Sequence, residues 1–146
     1  MTTLKQTLST YPFLAGLPEA HLSMLAAHAS EVRFQAGEYV FREGEVANAF
    51  YLIQQGKVAL DTFVPQHGLV TIHTVSGQEI LGWSWFIPPH RWRFNALTIE
   101  PTTAIVLDGA FLRERFEVDH DFGYELVKRL AVVIGQRFAA TKTRLE

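Results

Sequence analysis

Between Glu31 and Asp108, short runs rich in Val, Ile, Phe, Tyr and Thr are interrupted at Gly37, Gly44, Gly56, Gly68, Gly77 and Gly82. This rhythm constrains the fold more than any other feature of the chain. Runs of this length and composition make strands, and a glycine able to take positive φ lets the backbone turn at each corner. Val58 and Leu60 alternate with Lys57 and Asp61, and Val70 and Ile72 alternate with Thr71 and His73. Pro65-Gln66-His67-Gly68 lies between the two runs and predicts a hairpin. Many short strands with glycine turns indicate a barrel, a sandwich or a jelly roll.

The flanking segments have helical spacing. In Leu17 to Ala29, Pro18 suits a first helical turn and Glu19 the positive end of the helix dipole, with Leu22, Leu25, Ala26 and Ala29 on one face. After the strands, Asp108 is placed to cap a segment through Phe116, and Asp119 to cap a longer one carrying Phe122, Leu126, Leu130 and Ile134 one turn apart. Val127, Ala131 and Phe138 widen that stripe enough for it to face both the strands and a second copy of itself. Leu126, Leu130, Ile134 and Phe138 are the expected seam of a homodimer. The 146 residues read as one domain: N-terminal helices over 1–30, strands over 31–108 and C-terminal helices over 109–146.

The stretch from Phe34 to Glu45, Phe-Gln-Ala-Gly-Glu-Tyr-Val-Phe-Arg-Glu-Gly-Glu, is followed by Phe50-Tyr51-Leu52-Ile53-Gln54-Gln55-Gly56-Lys57-Val58. Together they resemble the first half of a cyclic nucleotide-binding domain of the catabolite activator-like (Crp/Fnr-type) sensors. The Phe13-Leu14-Ala15-Gly16-Leu17 segment and the closing helix extend the resemblance over nearly the whole chain. It implies a mainly β fold with flanking helices: a double-stranded β-helix, or jelly roll, with N-terminal helices and a long C-terminal helix. Regulators of this type continue into a helix-turn-helix module, whereas this sequence runs to Glu146, so a stand-alone sensor without direct DNA contact is expected.

The resemblance also locates a ligand segment. In relatives that bind cyclic nucleotides, a Gly-Glu pair opens a short helix, and about nine or ten residues later comes an Arg followed by Ser or Thr and then Ala. Helix N–H groups and the guanidinium receive the cyclic phosphate, and the Glu receives the ribose hydroxyl. Here Gly82 keeps its place, but Trp83 stands where the Glu is expected. Ungapped alignment from Glu100-Pro101-Thr102 puts Trp92 at the arginine position, with Arg91 and Arg93 on either side. Strand neighbours face opposite ways, so a bulge or loop is needed to bring a displaced arginine back; Arg91, just after Pro88-Pro89, is the expected one. Ser84 is placed to cap the short helix or to offer a hydroxyl to an anion. The candidate ligand residues are therefore Gly82, Trp83, Ser84, Arg91, Trp92 and Arg93. Three readings stay open: the aromatic residues fill the site, a different anionic ligand with a flat apolar part binds, or a cyclic nucleotide binds.

Composition bears on the alternatives. The chain has no cysteine, which removes disulfides, thiolate metal sites and cysteine nucleophiles and makes the cytoplasm the expected location. Formal charge is −2 and no Lys or Arg block occurs, against a nucleic-acid surface. No run approaches the roughly 20 apolar residues of a membrane span. The same roll also carries cupin metal enzymes, but His67, His73 and His90 do not form their His-x-His pair. Ser84 lacks the following glycine of a nucleophile elbow. No catalytic residue and no metal ligand is expected. The reading is a regulatory β-roll rather than an enzyme, with a cupin-like metal enzyme or the sensor partner of a separate DNA-binding chain as alternatives.

Overall fold

The computed structural model describes residues 3–145; Met1, Thr2 and Glu146, the outermost residues of the predicted domain, lie outside the described residues. Among the described residues, eight strands form two antiparallel sheets: β1 (Ala29–Phe34), β2 (Tyr39–Phe41), β3 (Ala49–Gln55), β4 (Lys57–Val64), β5 (Gly68–Ser76), β6 (Ile80–Leu81), β7 (Asn95–Thr98) and β8 (Thr102–Asp108). One sheet has the order β1-β8-β3-β6 and the other β2-β7-β4-β5, the interleaved pairing of a jelly roll. Inward positions of β3, β4 and β8, including Phe50, Leu52, Val58, Leu60, Ala104 and Ile105, form the core.

The predicted hairpin is β4 and β5. Gly68 sits at φ +78, and Val58 faces Val75 while Leu60 faces His73. The register slips at Leu60/Asp61, a bulge that bends the pair over the core.

The helices are α1 (Leu4–Ser9), a 3-10 turn at Pro12–Leu14, α2 (Glu19–Ala27), α3 (Gly109–Val118) and α4 (His120–Leu145). Thr3 and Gln6 cap α1 reciprocally, which the sequence reading passed over. Pro18 lies just before α2, and Ala29, assigned above to that helix, begins β1 instead. Asp108 accepts hydrogen bonds from the Ala110 and Phe111 amides, and Asp119 accepts one from Phe122 N at 3.1 Å, as expected of caps. This Phe122 amide bond, aided by the charges of His21 and Arg115, holds the Asp119 carboxyl below its usual value.

One expectation about α4 is corrected. Phe122, Leu126 and Leu130 are fully buried in the chain's own core, so Leu126 and Leu130 cannot form a seam with a second copy. Arg129, on the same helix, donates to the carbonyls of Phe13 and Ala15, each at 2.7 Å, and ties the N-terminal turn to α4. The outward stripe is instead Tyr124, Val127, Ala131 and Phe138. None of the described helices is long and apolar enough to cross a membrane.

Candidate ligand site

The segment after β6 bends at Gly82, φ +89, and then forms turns over residues 84–89 rather than the short helix that the resemblance implies. The sequence explains this. Pro88 and Pro89 supply no N–H, and proline restricts the residue before it, so a helix has no room to extend. Trp85 is fully buried, packs on Phe50 with ring centroids 5.1 Å apart, and donates its indole N–H to the Gly82 carbonyl at 3.3 Å. Arg113 donates to the Trp85 carbonyl. Trp85 therefore anchors the segment to the core, and no helix N-terminus is left to present N–H groups to a phosphate.

Trp92 takes the inward position expected for the arginine. Its ring lies parallel to Phe41, centroids 3.7 Å apart and planes at 7°, and only 5% of the residue is exposed. Gly82 passes so close that an added Cβ would stand 2.6 Å from Trp92 Cζ3. Aromatic carbon thus fills the space beside Gly82. Both neighbouring arginines are exposed. Arg91 pairs with Val46 in an isolated bridge and donates to the Gly44 carbonyl at 2.9 Å on an exposed corner. This corrects the expectation for Arg91, which lies outside the cavity described next, while Arg93 reaches its mouth.

Beside Trp92 remains a cavity of about 340 Å³, within the range of small-molecule pockets. One wall comes from the roll, with Leu60 and Ile72 from β4 and β5; a second comes from Gly82, Trp83 and Ser84; the third comes from α4, with Ile134, Arg137, Phe138 and Thr141. The structure brings five of the six predicted residues, Gly82, Trp83, Ser84, Trp92 and Arg93, to this cavity. It also moves Ile134 from the predicted seam to the cavity wall, while Phe138 is 71% exposed at the rim.

The sequence reading missed Arg137. It is 8% exposed, donates through Nη2 to the Ile80 carbonyl, and lies with its guanidinium carbon 5.4 Å from the Trp83 ring centroid. Burial pulls its pKa below the usual arginine value, with the charge of Glu79 acting the other way. The available signal was position: an arginine seven residues after Leu130 continues the buried face of the helix.

Elsewhere, Glu79 accepts hydrogen bonds from the Ser76 amide and hydroxyl, each at 3.0 Å, and closes its own turn. Gln78, before it, takes a left-handed backbone at φ +71. Among the described residues no group of three His, Asp or Glu is arranged to hold a metal.

The sequence profile of the cyclic nucleotide-binding domain matches residues 31–119. The chain belongs to that family. A putative cyclic nucleotide-binding protein from Geobacter metallireducens is 28% identical, superposes with a TM-score of 0.83, and the match covers 94% of this chain and 99% of that one. A cyclic nucleotide-binding domain from Methylobacillus flagellatus shares the fold at 18% identity, TM-score 0.82, over 97% of this chain and 79% of the other. The sensor domain of the transcriptional regulator DNR from Pseudomonas aeruginosa does so at 20% identity, TM-score 0.74, over 92% and 91%. No curated protein sequence matches significantly. The family's domain is regulatory, and this member keeps its roll.

Proposed function

We propose that this cyclic nucleotide-binding domain is a regulatory sensor whose ligand is a small molecule other than an ordinary cyclic nucleotide, held between the roll and α4. The observation that carries the reading is the cavity itself. It is walled by the family's ligand segment and roofed by Ile134, Arg137, Phe138 and Thr141, so an occupant touches the helix that would transmit its presence. The reading against cyclic nucleotides rests on Trp92 in the phosphate place, Trp83 in the place of the ribose-binding carboxylate and Arg91 on the outside. Solved relatives support an adaptable roll: regulatory subunits of a cAMP-independent protein kinase A are known with cAMP, as a variant, in Trypanosoma brucei and with guanosine in Trypanosoma cruzi.

The partner we infer is a second copy, through Tyr124, Val127, Ala131 and Phe138. Tyr124, Val127 and Ala131 follow a three-and-four spacing on the outward face of α4 and border an apolar groove with Phe116 and Gly123, and Phe138 lies two turns further along the helix.

The test of ligand binding is thermal unfolding against nucleosides, cyclic mononucleotides and small aromatic and aliphatic acids and amides, with hydrogen exchange on α4. A ligand present at 100 times its Kd stabilises by about 2.7 kcal/mol, or roughly 5–10 °C in Tm for a domain of this size. Protection should centre on residues 134–141. A panel that moves neither Tm nor exchange would sink the sensor reading, and cAMP producing the largest shift would restore the ordinary one.

A further inference from the structure

The cavity is lined almost wholly by carbon, yet one buried cation belongs to its wall. Arg137 Nη2 is satisfied by the Ile80 carbonyl, whereas Nη1 is buried with no hydrogen-bond partner. Among the described residues no carboxylate reaches ion-pair distance of this guanidinium; Glu79 is near enough to act through its charge, but its Oε1 is committed to Ser76. A guanidinium remains charged at any ordinary pH, and a buried charge with a vacant donor is costly. Arg137 lines the cavity, so an anion bound there offsets the charge, and a turn of the guanidinium that brings Nη1 to it satisfies the donor where low dielectric strengthens the contact.

The size and kind of the anion follow from what surrounds it. Among the described lining residues Arg137 is the one buried cation; Ser84 and Thr141 add single hydroxyls, Arg93 is exposed at the mouth, and Trp92 fills the space beside Gly82. A phosphate needs several donors at once; a carboxylate is content with a guanidinium edge. Leu60, Ile72, Ile134 and Phe138 then meet the apolar remainder, and the Trp83 face, already against the Arg137 guanidinium, favours a flat one.

Resting on the reading of this cavity as a sensor site, we propose that Arg137 is its anion anchor and that the ligand class is a monocarboxylate with a compact apolar or aromatic body. Recognition thus comes from α4 instead of the segment after Gly82, and the charge contact is made by the helix that responds.

The experiment pairs each acid with its uncharged analogue on the unaltered protein. Aromatic acetates such as indole-3-acetate and phenylacetate, and aliphatic acids from hexanoate to decanoate, are titrated beside their primary amides, with tryptophan fluorescence and calorimetry as readouts. At least one acid should bind about tenfold or more tightly than its amide, a difference of about 1.4 kcal/mol. Arg137→Met should erase the ratio by weakening the acid alone, and Arg137→Lys should keep part of it. The acid-to-amide comparison on the unaltered protein decides the matter even if Arg137→Met fails to fold. Amides that bind as well as acids, or a ratio that survives Arg137→Met and falls in Arg93→Gln, overturn the anchor while leaving the sensor reading in place. If none of these acids and amides binds but a nucleoside does, the carboxylate class is likewise overturned and the cavity keeps its role. No binding by acids, amides, nucleosides or cyclic nucleotides overturns both.

Discussion

Gly82→Ala measures how tightly the cavity is closed on its Trp92 side. Gly82 sits at φ +89, and a Cβ built on it stands 2.6 Å from Trp92 Cζ3 and 2.8 Å from Cη2. Two costs combine. The left-handed backbone costs a non-glycine residue about 1–2 kcal/mol. The indole cannot retreat freely, because it lies flat against Phe41 at 3.7 Å between centroids, and forcing extra atoms into such packing costs about 1–3 kcal/mol. The expected destabilisation is therefore about 2–5 kcal/mol. Gly37 separates the terms: it has φ +83 but nothing within 4 Å of an added Cβ, so Gly37→Ala should lose only the backbone part, about 1–2 kcal/mol. Urea unfolding followed by tryptophan fluorescence and far-ultraviolet circular dichroism gives both values, with equal m confirming comparable end states. Combining Gly82→Ala with Trp92→Leu should recover part of the steric loss, a coupling that a double-mutant cycle reads directly. Equal costs for Gly82→Ala and Gly37→Ala, with no coupling to Trp92, would refute the claim that the indole is pinned between Gly82 and Phe41.

Two further outcomes follow from the same geometry. Arg91→Ala should change stability by no more than about 0.5 kcal/mol and leave any ligand-induced Tm shift intact, because the side chain only reaches the exposed Gly44 carbonyl; loss of the shift would return Arg91 to the site. Tyr11 is fully buried, its hydroxyl donates to the Leu52 carbonyl at 3.3 Å, and burial pushes its pKa up from 10.0 to about 12. Below the unfolded value both states keep the proton. As pH rises from 10.0 toward about 12 only the unfolded chain releases it, so stability falls across that window. Tyr11→Phe should flatten that part of the pH profile, and an unchanged slope would show that Tyr11 is not its source.

The roll was legible because its determinants are local. Glycine corners, alternation along β4 and β5, and the caps at Asp108 and Asp119 each depend on a few neighbouring residues. The site was less legible because it depends on which face of an element meets which other element. Nothing near Arg91 or Trp92 in sequence says which of them points inward; the bridge between Arg91 and Val46 decides it from half a domain away. The absent helix after Gly82 reflects a tertiary anchor, Trp85 in the core, overriding what the family pattern implies. The α4 stripe illustrates the same limit. Its apolar width suggested two contacts, but only the packed roll shows that Leu126 and Leu130 belong to the core while Tyr124 and Val127 do not.

That division of α4 has a consequence that two substitutions separate. Ile134 and Arg137 line the cavity, whereas Val127 borders the separate groove two turns nearer the start of α4, and Phe138 belongs to both the stripe and the cavity rim. Ile134→Glu places a carboxylate three residues before Arg137 on the same side of the helix, the spacing at which opposite charges meet. The new side chain supplies internally the partner that Arg137 lacks, and competes with a ligand carboxylate for the same donor. Acid binding should weaken by at least about tenfold, with amide binding reduced less, and the sedimented mass should not change. Val127→Glu should do the reverse. It puts a charge into the apolar stripe between copies, so sedimentation at micromolar concentration should fall to the mass of one chain while acid binding stays within about threefold. If Ile134→Glu dissociates the protein and Val127→Glu does not, the seam runs through the cavity-lining stretch of the helix, and the assignment of ligand to that stretch and partner to the one before it is wrong.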